Sequence, residues 1–280
     1  MSSIIFPVLL VCIVGIIAGI MLTIAAKVMY VPVDERIEKL TEALPGANCG
    51  GCGYAGCSDY ASAIVNSGAP LTACAVGGAS CSENLGSIMG LEVGSAEPMA
   101  AVVRCGGFGE KTHKILDYKG VPTCKANKSI YSGDGACMYG CIGLGDCTRA
   151  CQFDAIRVIN GVAWVDRNNC VGCGACAKAC PNDLITLIPK KNTVYVACSN
   201  CDKGAQTRKQ CTAGCIACRK CEKVCKFDSI HVENNHAVIN PETCKNCGMC
   251  TKVCPDNTII KLAKKKLVVK KDVTPDKATA

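Results

Sequence analysis

The chain has 280 residues and 27 cysteines, but only one Trp, seven Tyr and four Phe. So few large side chains cannot fill the hydrophobic core of a conventional protein of this length. Disulfides or metals must therefore hold the loops together. The formal charge of +8 counts every cysteine as neutral. Thiolates bound to metal would offset this charge, and no aromatic-rich basic motif accompanies it, which excludes a nucleic-acid partner.

The cysteine spacing separates a disulfide framework from a metal framework. The count is odd, and the cysteines gather in C-x2-C steps. Cysteines this close in sequence are poorly placed to pair with each other, and their thiolates point naturally at one metal centre. The sequence therefore predicts a metal framework, kept in a reducing compartment such as the cytoplasm.

The N-terminal segment predicts a membrane anchor within residues 1–30. "IIFPVLLVCIVGIIAGIMLTIAA", residues 4–26, is 23 residues long and carries no charge, which suffices to span a bilayer. A cleaved signal peptide is the alternative, but no Lys or Arg precedes the stretch, and it exceeds a signal-peptide core. Lys27, Arg36 and Lys39 follow it. The positive-inside rule then predicts a single-pass protein of the plasma (inner) membrane with its bulk in the cytoplasm.

Residues 31–100 contain the first cysteine group, within "ANCGGCGYAGC" and the stretch after it. Three close thiols and a distant fourth are typical of a [4Fe–4S] site, whereas zinc more often takes two separated C-x2-C pairs. The predicted ligands are Cys49, Cys52, Cys57 and Cys74. A short helix is predicted from Cys57 to Gly68, and a zinc knuckle remains the alternative. This sequence motif resembles that of the small Fe–S domain found in the B subunit of the Rnf electron-transport complex and in corrinoid iron–sulfur proteins.

After a connecting segment, 101–120, the sequence repeats with a period of 74 residues. Nine cysteines from Cys124 to Cys180 each have a counterpart 74 positions later, which indicates a duplicated unit. The predicted modules are 121–190 and 191–262, followed by a basic tail, 263–280. Each contains one C-x2-C-x2-C-x3-C-P run, typical of bacterial ferredoxins. "AIRVINGVAWV" and "SIHVENNHAVI" predict a β-hairpin in each module.

In the two-cluster ferredoxin pattern, the fourth cysteine of each run ligates the other cluster. Carried over to the second module, this pattern predicts two complete ligand sets. In the first module it predicts one complete set and one that lacks a ligand. The complete sets are Cys215, Cys218, Cys221 and Cys254; Cys225, Cys244, Cys247 and Cys250; and Cys151, Cys170, Cys173 and Cys176.

The incomplete set contains Cys141, Cys147 and Cys180, because Leu144 stands where the second module has Cys218. Cys137 lies four residues before Cys141 and is predicted to supply the missing thiolate. Its counterpart in the second module would then be spare. The prediction is five [4Fe–4S] clusters, with a sixth left open among the unassigned cysteines. These are Cys81, Cys105, Cys124, Cys198, Cys201 and Cys211.

Other residues suggest no further chemistry. His113, His231 and His236 are not in ligand spacing and are expected at the surface. "CGGFGE", residues 105–110, lacks the strand and helix context of a dinucleotide-binding loop. The predicted fold is therefore α+β: a transmembrane helix, a small 4Fe–4S domain and two tandem bacterial two-cluster ferredoxin-like modules.

With these parts in this order, the chain to about residue 262 resembles the B subunit of the Rnf complex, in the clostridial type with two double-cluster repeats. The resemblance implies electron transfer from soluble ferredoxin, through the clusters, to other Rnf subunits that are membrane-embedded or carry flavin and NAD. It implies a translocase that reduces NAD⁺ and moves Na⁺ or H⁺, in which this chain alone is an electron carrier. A membrane-anchored polyferredoxin serving another reductase or hydrogenase, and a zinc-bound structural protein, are the alternatives.

Overall fold

The computed structural model describes residues 2–28, 34–94 and 97–262, so the predicted tail, 263–280, lies outside the described residues. The first range forms one α-helix, α1 (Ser2–Val28). Its described side chains are those of residues 9, 10, 12–25 and 27. Judged on the described residues, no helix has both the length and the apolar character needed to cross a membrane.

The rest of the described chain alternates short helices with short strands. The helices are α2 (Glu35–Ala43), α3 (Cys57–Ser67), α4 (Gly78–Met89), α5 (Cys124–Lys128), α6 (Asp146–Arg149), α7 (Ala175–Ala179), α8 (Gly204–Gln210), α9 (Lys220–Val224) and α10 (Met249–Val253). The strands are β1 (Met99–Val103), β2 (Ile156–Ile159), β3 (Val162–Val165), β4 (Ile185–Pro189), β5 (Val194–Val196), β6 (Ile230–Glu233), β7 (His236–Ile239) and β8 (Ile259–Lys261). A 3₁₀ turn covers Gly109–Lys111.

Helices α2, α3 and α4 form the first domain around a small apolar core. Leu40, Tyr60 and Leu85, one from each helix, are almost completely buried. Helix α3 ends at Gly68, whose φ of +64° is left-handed and suits glycine as a helix cap. The helix predicted from Cys57 to Gly68 is therefore confirmed.

Each ferredoxin-like module contains the β-hairpin that its sequence predicts. Strands β2 and β3 pair around Asn160 and Gly161, and β6 and β7 pair around Asn234 and Asn235. All four turn residues have positive φ, between +47° and +80°, as a type I′ turn requires. The mixed α+β character of the modules is thus confirmed.

Each module also contains a second pair of strands, and in the first module one strand of that pair comes from outside the sequence repeat. Strand β5 pairs antiparallel with β8, but the matching partner of β4 is β1, which begins before the predicted connecting segment. The Arg104 N–H donates to the Leu184 carbonyl at 2.7 Å, and the Ala197 N–H donates to the Thr258 carbonyl at 2.8 Å. Leu184 and Thr258 are 74 residues apart, so the two pairs end in the same register. The residues that follow, Cys105 and Cys198, are therefore structural counterparts.

Candidate metal centres

Two of the predicted ligand sets each surround one cavity. The first set lines a cavity of about 350 Å³, and its members are Cys151, Cys170, Cys173 and Cys176. The second lines a cavity of about 340 Å³, and its members are Cys215, Cys218, Cys221 and Cys254. The fourth cysteine of the second set arrives from the distant end of its module, as the ferredoxin pattern predicts. The structure thus brings each set together, and the ligation of a cluster by them stays a prediction.

The cavity of the incomplete set is lined by a different fourth cysteine from the one expected. A cavity of about 400 Å³ is lined by Cys141, Cys147 and Cys180 together with Cys124, and Cys137 is not among its lining residues. The Asp146 carboxylate accepts the N–H of Cys124 at 2.9 Å, which fixes the start of α5 against α6. Cys124 thus completes a set of four cysteines around this cavity, as Cys218 does around the corresponding cavity of the second module. The ligation of this cluster by Cys137 stays a prediction, and Cys124 is the cysteine that lines the cavity in its place.

The remaining set of the second module lies around α10. Burial raises the pKa of Cys250 to about 11, and the neighbouring thiols of Cys244, Cys247 and Cys225 add to the rise. The Ser229 N–H donates to the Cys225 sulfur at 3.4 Å. These four predicted ligands are therefore close neighbours.

The first domain brings its thiols together at the N-terminal end of α3. Burial raises the pKa of the Cys74 thiol, and the nearby Cys57 and Cys52 act in the same direction. Cys49, the remaining predicted ligand, is close enough to Cys173 of the first module to raise the pKa of that thiol, after the larger effect of burial. This part of the first domain therefore faces the first module.

The contact between the first domain and the first module is tight. A Cβ atom at Gly51 would lie 2.7 Å from the Cys173 carbonyl oxygen, so only glycine fits there without a shift. The Lys178 ammonium donates to the Gly50 carbonyl at 3.2 Å. The site predicted around Cys49 thus lies beside the one that contains Cys173.

Burial raises the pKa of several of these thiols and so favours their protonated form when no metal is bound. It raises the pKa of Cys147 to about 12 and the pKa of Cys176 and Cys221 to about 11. Metal binding must therefore displace protons from them. Backbone N–H groups already point at several of the sulfurs, such as Ala101 to Cys170 at 3.4 Å and Ala237 to Cys215 at 3.4 Å. Such bonds stabilise thiolates and tune a bound cluster.

The donors suit a polynuclear group. Among the described residues, no group of three His, Cys, Asp or Glu side chains is found that could hold a metal ion. Each of three sets consists of four thiols that line one mainly apolar cavity. Four thiolates around one apolar space are the ligands that a [4Fe–4S] cluster takes.

A fourth cysteine-lined cavity was missed by sequence reasoning. It has a volume of about 490 Å³, and its lining includes Cys105, Cys137, Cys198 and Cys211. Their sequence spacing follows no ferredoxin motif. The signal that could have found them is the placement of Cys105 and Cys198 two residues after equivalent strands, which requires the pairing of β1 to be known.

One histidine also departs from its expected place. His236, the first residue of β7, is 7% exposed, and its Nε2 lies 2.8 Å from an Arg104 guanidinium nitrogen. Burial lowers its pKa, and the Arg104 charge contributes in the same direction. The neutral ring therefore accepts the hydrogen bond. The expectation of a surface position was wrong for this histidine.

Three family models match the segments that carry these cysteines. The family described as "Putative Fe-S cluster" matches residues 44–76. A 4Fe-4S binding domain matches residues 163–186, and a 4Fe-4S dicluster domain matches residues 214–258. The chain therefore carries [4Fe–4S] domains.

Curated relatives cover nearly the whole chain. The B subunit of the ion-translocating oxidoreductase complex of Methanosarcina acetivorans is 42% identical over 88% of this chain and 93% of the relative. The B subunit of the Na(+)-translocating ferredoxin:NAD(+) oxidoreductase complex of Acetobacterium woodii is 44% identical over 92% of this chain and 78% of the relative. The B subunit of the proton-translocating ferredoxin:NAD(+) oxidoreductase complex of Clostridium ljungdahlii is 36% identical, with 92% and 93% covered. This chain belongs to the same family, that of the B subunits of the Rnf-type ion-translocating oxidoreductase complexes.

Proposed function

We propose that this chain is the electron-transfer subunit of a membrane-bound Rnf complex that reduces NAD⁺ and translocates Na⁺ or H⁺. It accepts electrons from reduced soluble ferredoxin and passes them through [4Fe–4S] clusters to membrane-embedded and flavin-bearing subunits. The observation that supports this proposal is the series of cysteine-lined cavities in this chain. The chain also belongs to one family with the B subunits of ferredoxin:NAD(+) oxidoreductases.

The proposal includes five cluster sites with one revised ligand set. In the first module, Cys124 joins Cys141, Cys147 and Cys180, while the other four sets keep their predicted members. Each bound cluster supplies one-electron redox chemistry. The chain's own residues hold the clusters, exclude water and direct N–H groups at the sulfurs. Cys147 and Cys176, from the two sets of the first module, are close enough for one to raise the pKa of the other. Neighbouring sites in that module are thus near each other.

We further propose that α1 anchors the chain in the membrane as a single span. Ten of its large apolar side chains are between 48% and 70% exposed, an arrangement that water disfavours and lipid accommodates. The uncharged stretch 4–26 contains no acidic residue that could carry an ion. Ion translocation is therefore a property of the other subunits.

The electron-transfer proposal is tested by mixing the anaerobically purified full chain with chemically reduced ferredoxin. We expect bleaching of the iron–sulfur absorbance and an EPR signal from several reduced clusters. Iron and sulfide each near 20 per chain, without stoichiometric zinc, is the minimum that five clusters require. A chain with stoichiometric zinc, or with clusters that stay oxidised beside reduced ferredoxin, would contradict the proposal.

The anchor is tested by alkaline carbonate extraction of membranes from cells that produce either the full chain or a chain starting at Asp34. We expect the full chain to stay in the membrane pellet when the other subunits are absent, and the shortened chain to be released. Release of both chains would show that α1 does not anchor the protein.

A further inference from the structure

The cavity of about 490 Å³ lies where the two ferredoxin-like modules and the segment between the first domain and the first module meet. Four of its lining cysteines are outside the five proposed sets, and they come from widely separated parts of the sequence. Cys105 follows β1, Cys137 belongs to the first module, and Cys198 and Cys211 belong to the second.

The four thiols are close to one another. Burial raises the pKa of Cys137 to about 11, and the nearby thiols of Cys105 and Cys211 contribute to the rise. Burial likewise raises the pKa of Cys198 to about 12, with Cys137 among its charged neighbours. Cys137 therefore lies near each of the other three thiols, and all four line the one cavity. The thiols surround the cavity, as the members of the proposed cluster sets do.

The arrangement repeats across the two modules. The Cys141 N–H donates to the Cys105 sulfur at 3.4 Å, and the Cys215 N–H donates to the Cys198 sulfur at 3.3 Å. Cys141 and Cys215 are 74 residues apart, and so are Cys137 and Cys211. Each half of the site therefore has one cysteine that follows a strand, Cys105 or Cys198, and one that precedes a ferredoxin motif, Cys137 or Cys211. The two halves of the site are therefore built from matching cysteines and matching hydrogen bonds.

The walls also suit a group with sulfur ligands. The buried Asn200 amide donates to the Cys137 sulfur at 3.4 Å, and the Asn200 N–H donates to the Cys198 sulfur at 3.4 Å. Gly107 packs so near that an added Cβ would lie 3.4 Å from the Cys211 sulfur. Hydrogen bonds to the sulfurs and close backbone are features of iron–sulfur sites.

We propose that Cys105, Cys137, Cys198 and Cys211 bind a sixth [4Fe–4S] cluster, which connects the clusters of the two modules. The evidence for the site is the arrangement of these four thiols, whereas its role in electron transfer rests on the proposed function. Cys141 belongs to a cluster set of the first module and Cys215 to a set of the second, and each donates its N–H to a sulfur of the new site. One electron leaves a cluster on one side, which is oxidised, and reduces the sixth cluster. The same electron then passes to the cluster on the other side, with no bond formed or broken.

Iron counting of the full chain tests the site directly. We expect about 24 iron and 24 sulfide per wild-type chain, and a loss of about four of each in Cys211→Ser. Cys201→Ser is the matched control, because Cys201 lies three residues from Cys198 but does not line the cavity. Cys105→Ser, in the other half of the site, should lose the same EPR signal as Cys211→Ser. Cys137→Ser does not discriminate, since both ligand assignments expect a loss.

The outcomes separate the site from the wider proposal. About 20 iron in the wild type, or an unchanged count in both Cys105→Ser and Cys211→Ser, would overturn the sixth cluster; so would one zinc that these variants remove. If a variant fails to fold, the wild-type count still decides. In freeze-quenched reduction by ferredoxin, Cys211→Ser should keep only two or three of its five clusters in the fast phase. If the iron count is about 24 but reduced ferredoxin reduces no cluster, the electron-transfer proposal fails and the site stands.

Discussion

Replacing Gly51 by alanine should weaken the docking of the first domain on the first module. The added Cβ would lie 2.7 Å from the carbonyl oxygen of Cys173 and 3.1 Å from its Cα and Cβ. These are backbone and near-backbone atoms of a loop that carries a proposed ligand, so they cannot rotate away. Overpacking of this kind costs about 1–3 kcal/mol. At about 1.4 kcal/mol per factor of ten, the docking equilibrium should weaken by about 5- to 150-fold.

Amide hydrogen exchange measures this equilibrium in the intact protein. If residues 48–57 exchange through undocking, their rates in Gly51→Ala should rise by the same factor as the docking equilibrium falls. The Lys178 hydrogen bond to Gly50 would be lost in the same event. Gly94→Ala is the control, because Gly94 is exposed and a Cβ there would meet nothing within 4 Å. Equal exchange rates in the two variants would refute the tight contact.

Two further substitutions test the core and the buried histidine. Tyr60→Phe removes the hydroxyl that donates to the Pro70 carbonyl at 2.6 Å, so the first domain should lose about 0.5–1.5 kcal/mol in urea unfolding; no loss would show that water replaces the bond. Because burial lowers the pKa of His236, the folded chain binds fewer protons there than the unfolded chain below about pH 6.5. The free energy of unfolding should therefore decrease as the pH falls below that value. The decrease should be less steep in His236→Gln. Parallel acid-unfolding curves would contradict this.

Local sequence was sufficient wherever the structure depends on local spacing. The dipeptides at Asn160 and Asn234 predicted both β-hairpins, and Gly68 predicted the end of α3, because turns and caps select residue types directly. Short cysteine spacing likewise predicted which cysteines lie close together in most sets, since neighbours along a loop or helical turn share one side. The fourth ligand followed only where the ferredoxin pattern supplied it.

The features that were missed depend on pairing between distant segments. Met99 pairs with Pro189 across 90 residues, and this pairing carries Cys105 to the cavity between the modules. No spacing rule indicates such a contact, so Cys105 was left unassigned. Similarly, His236 is buried because its strand turns it towards Arg104, a residue from outside the repeat. A histidine considered by itself carries no sign of that neighbour.

The presence of Leu144 in place of a cysteine indicates how the two modules diverged. The first module has both Cys105 and Cys124 in the place that Cys198 alone takes in the second, because the chain that joins Cys105 to Cys124 has no counterpart there. The extra cysteine can replace the ligand that Leu144 fails to supply, whereas the second module must keep Cys218. Cys124→Ser should therefore lose about four iron per chain, and Leu144→Cys added to it should restore them. Leu144→Cys alone should leave the iron count unchanged. If the double variant stayed depleted, the loop around residue 144 would have moved too far for a cysteine there to reach the cavity, and Cys124 would be a ligand that the first module can no longer exchange.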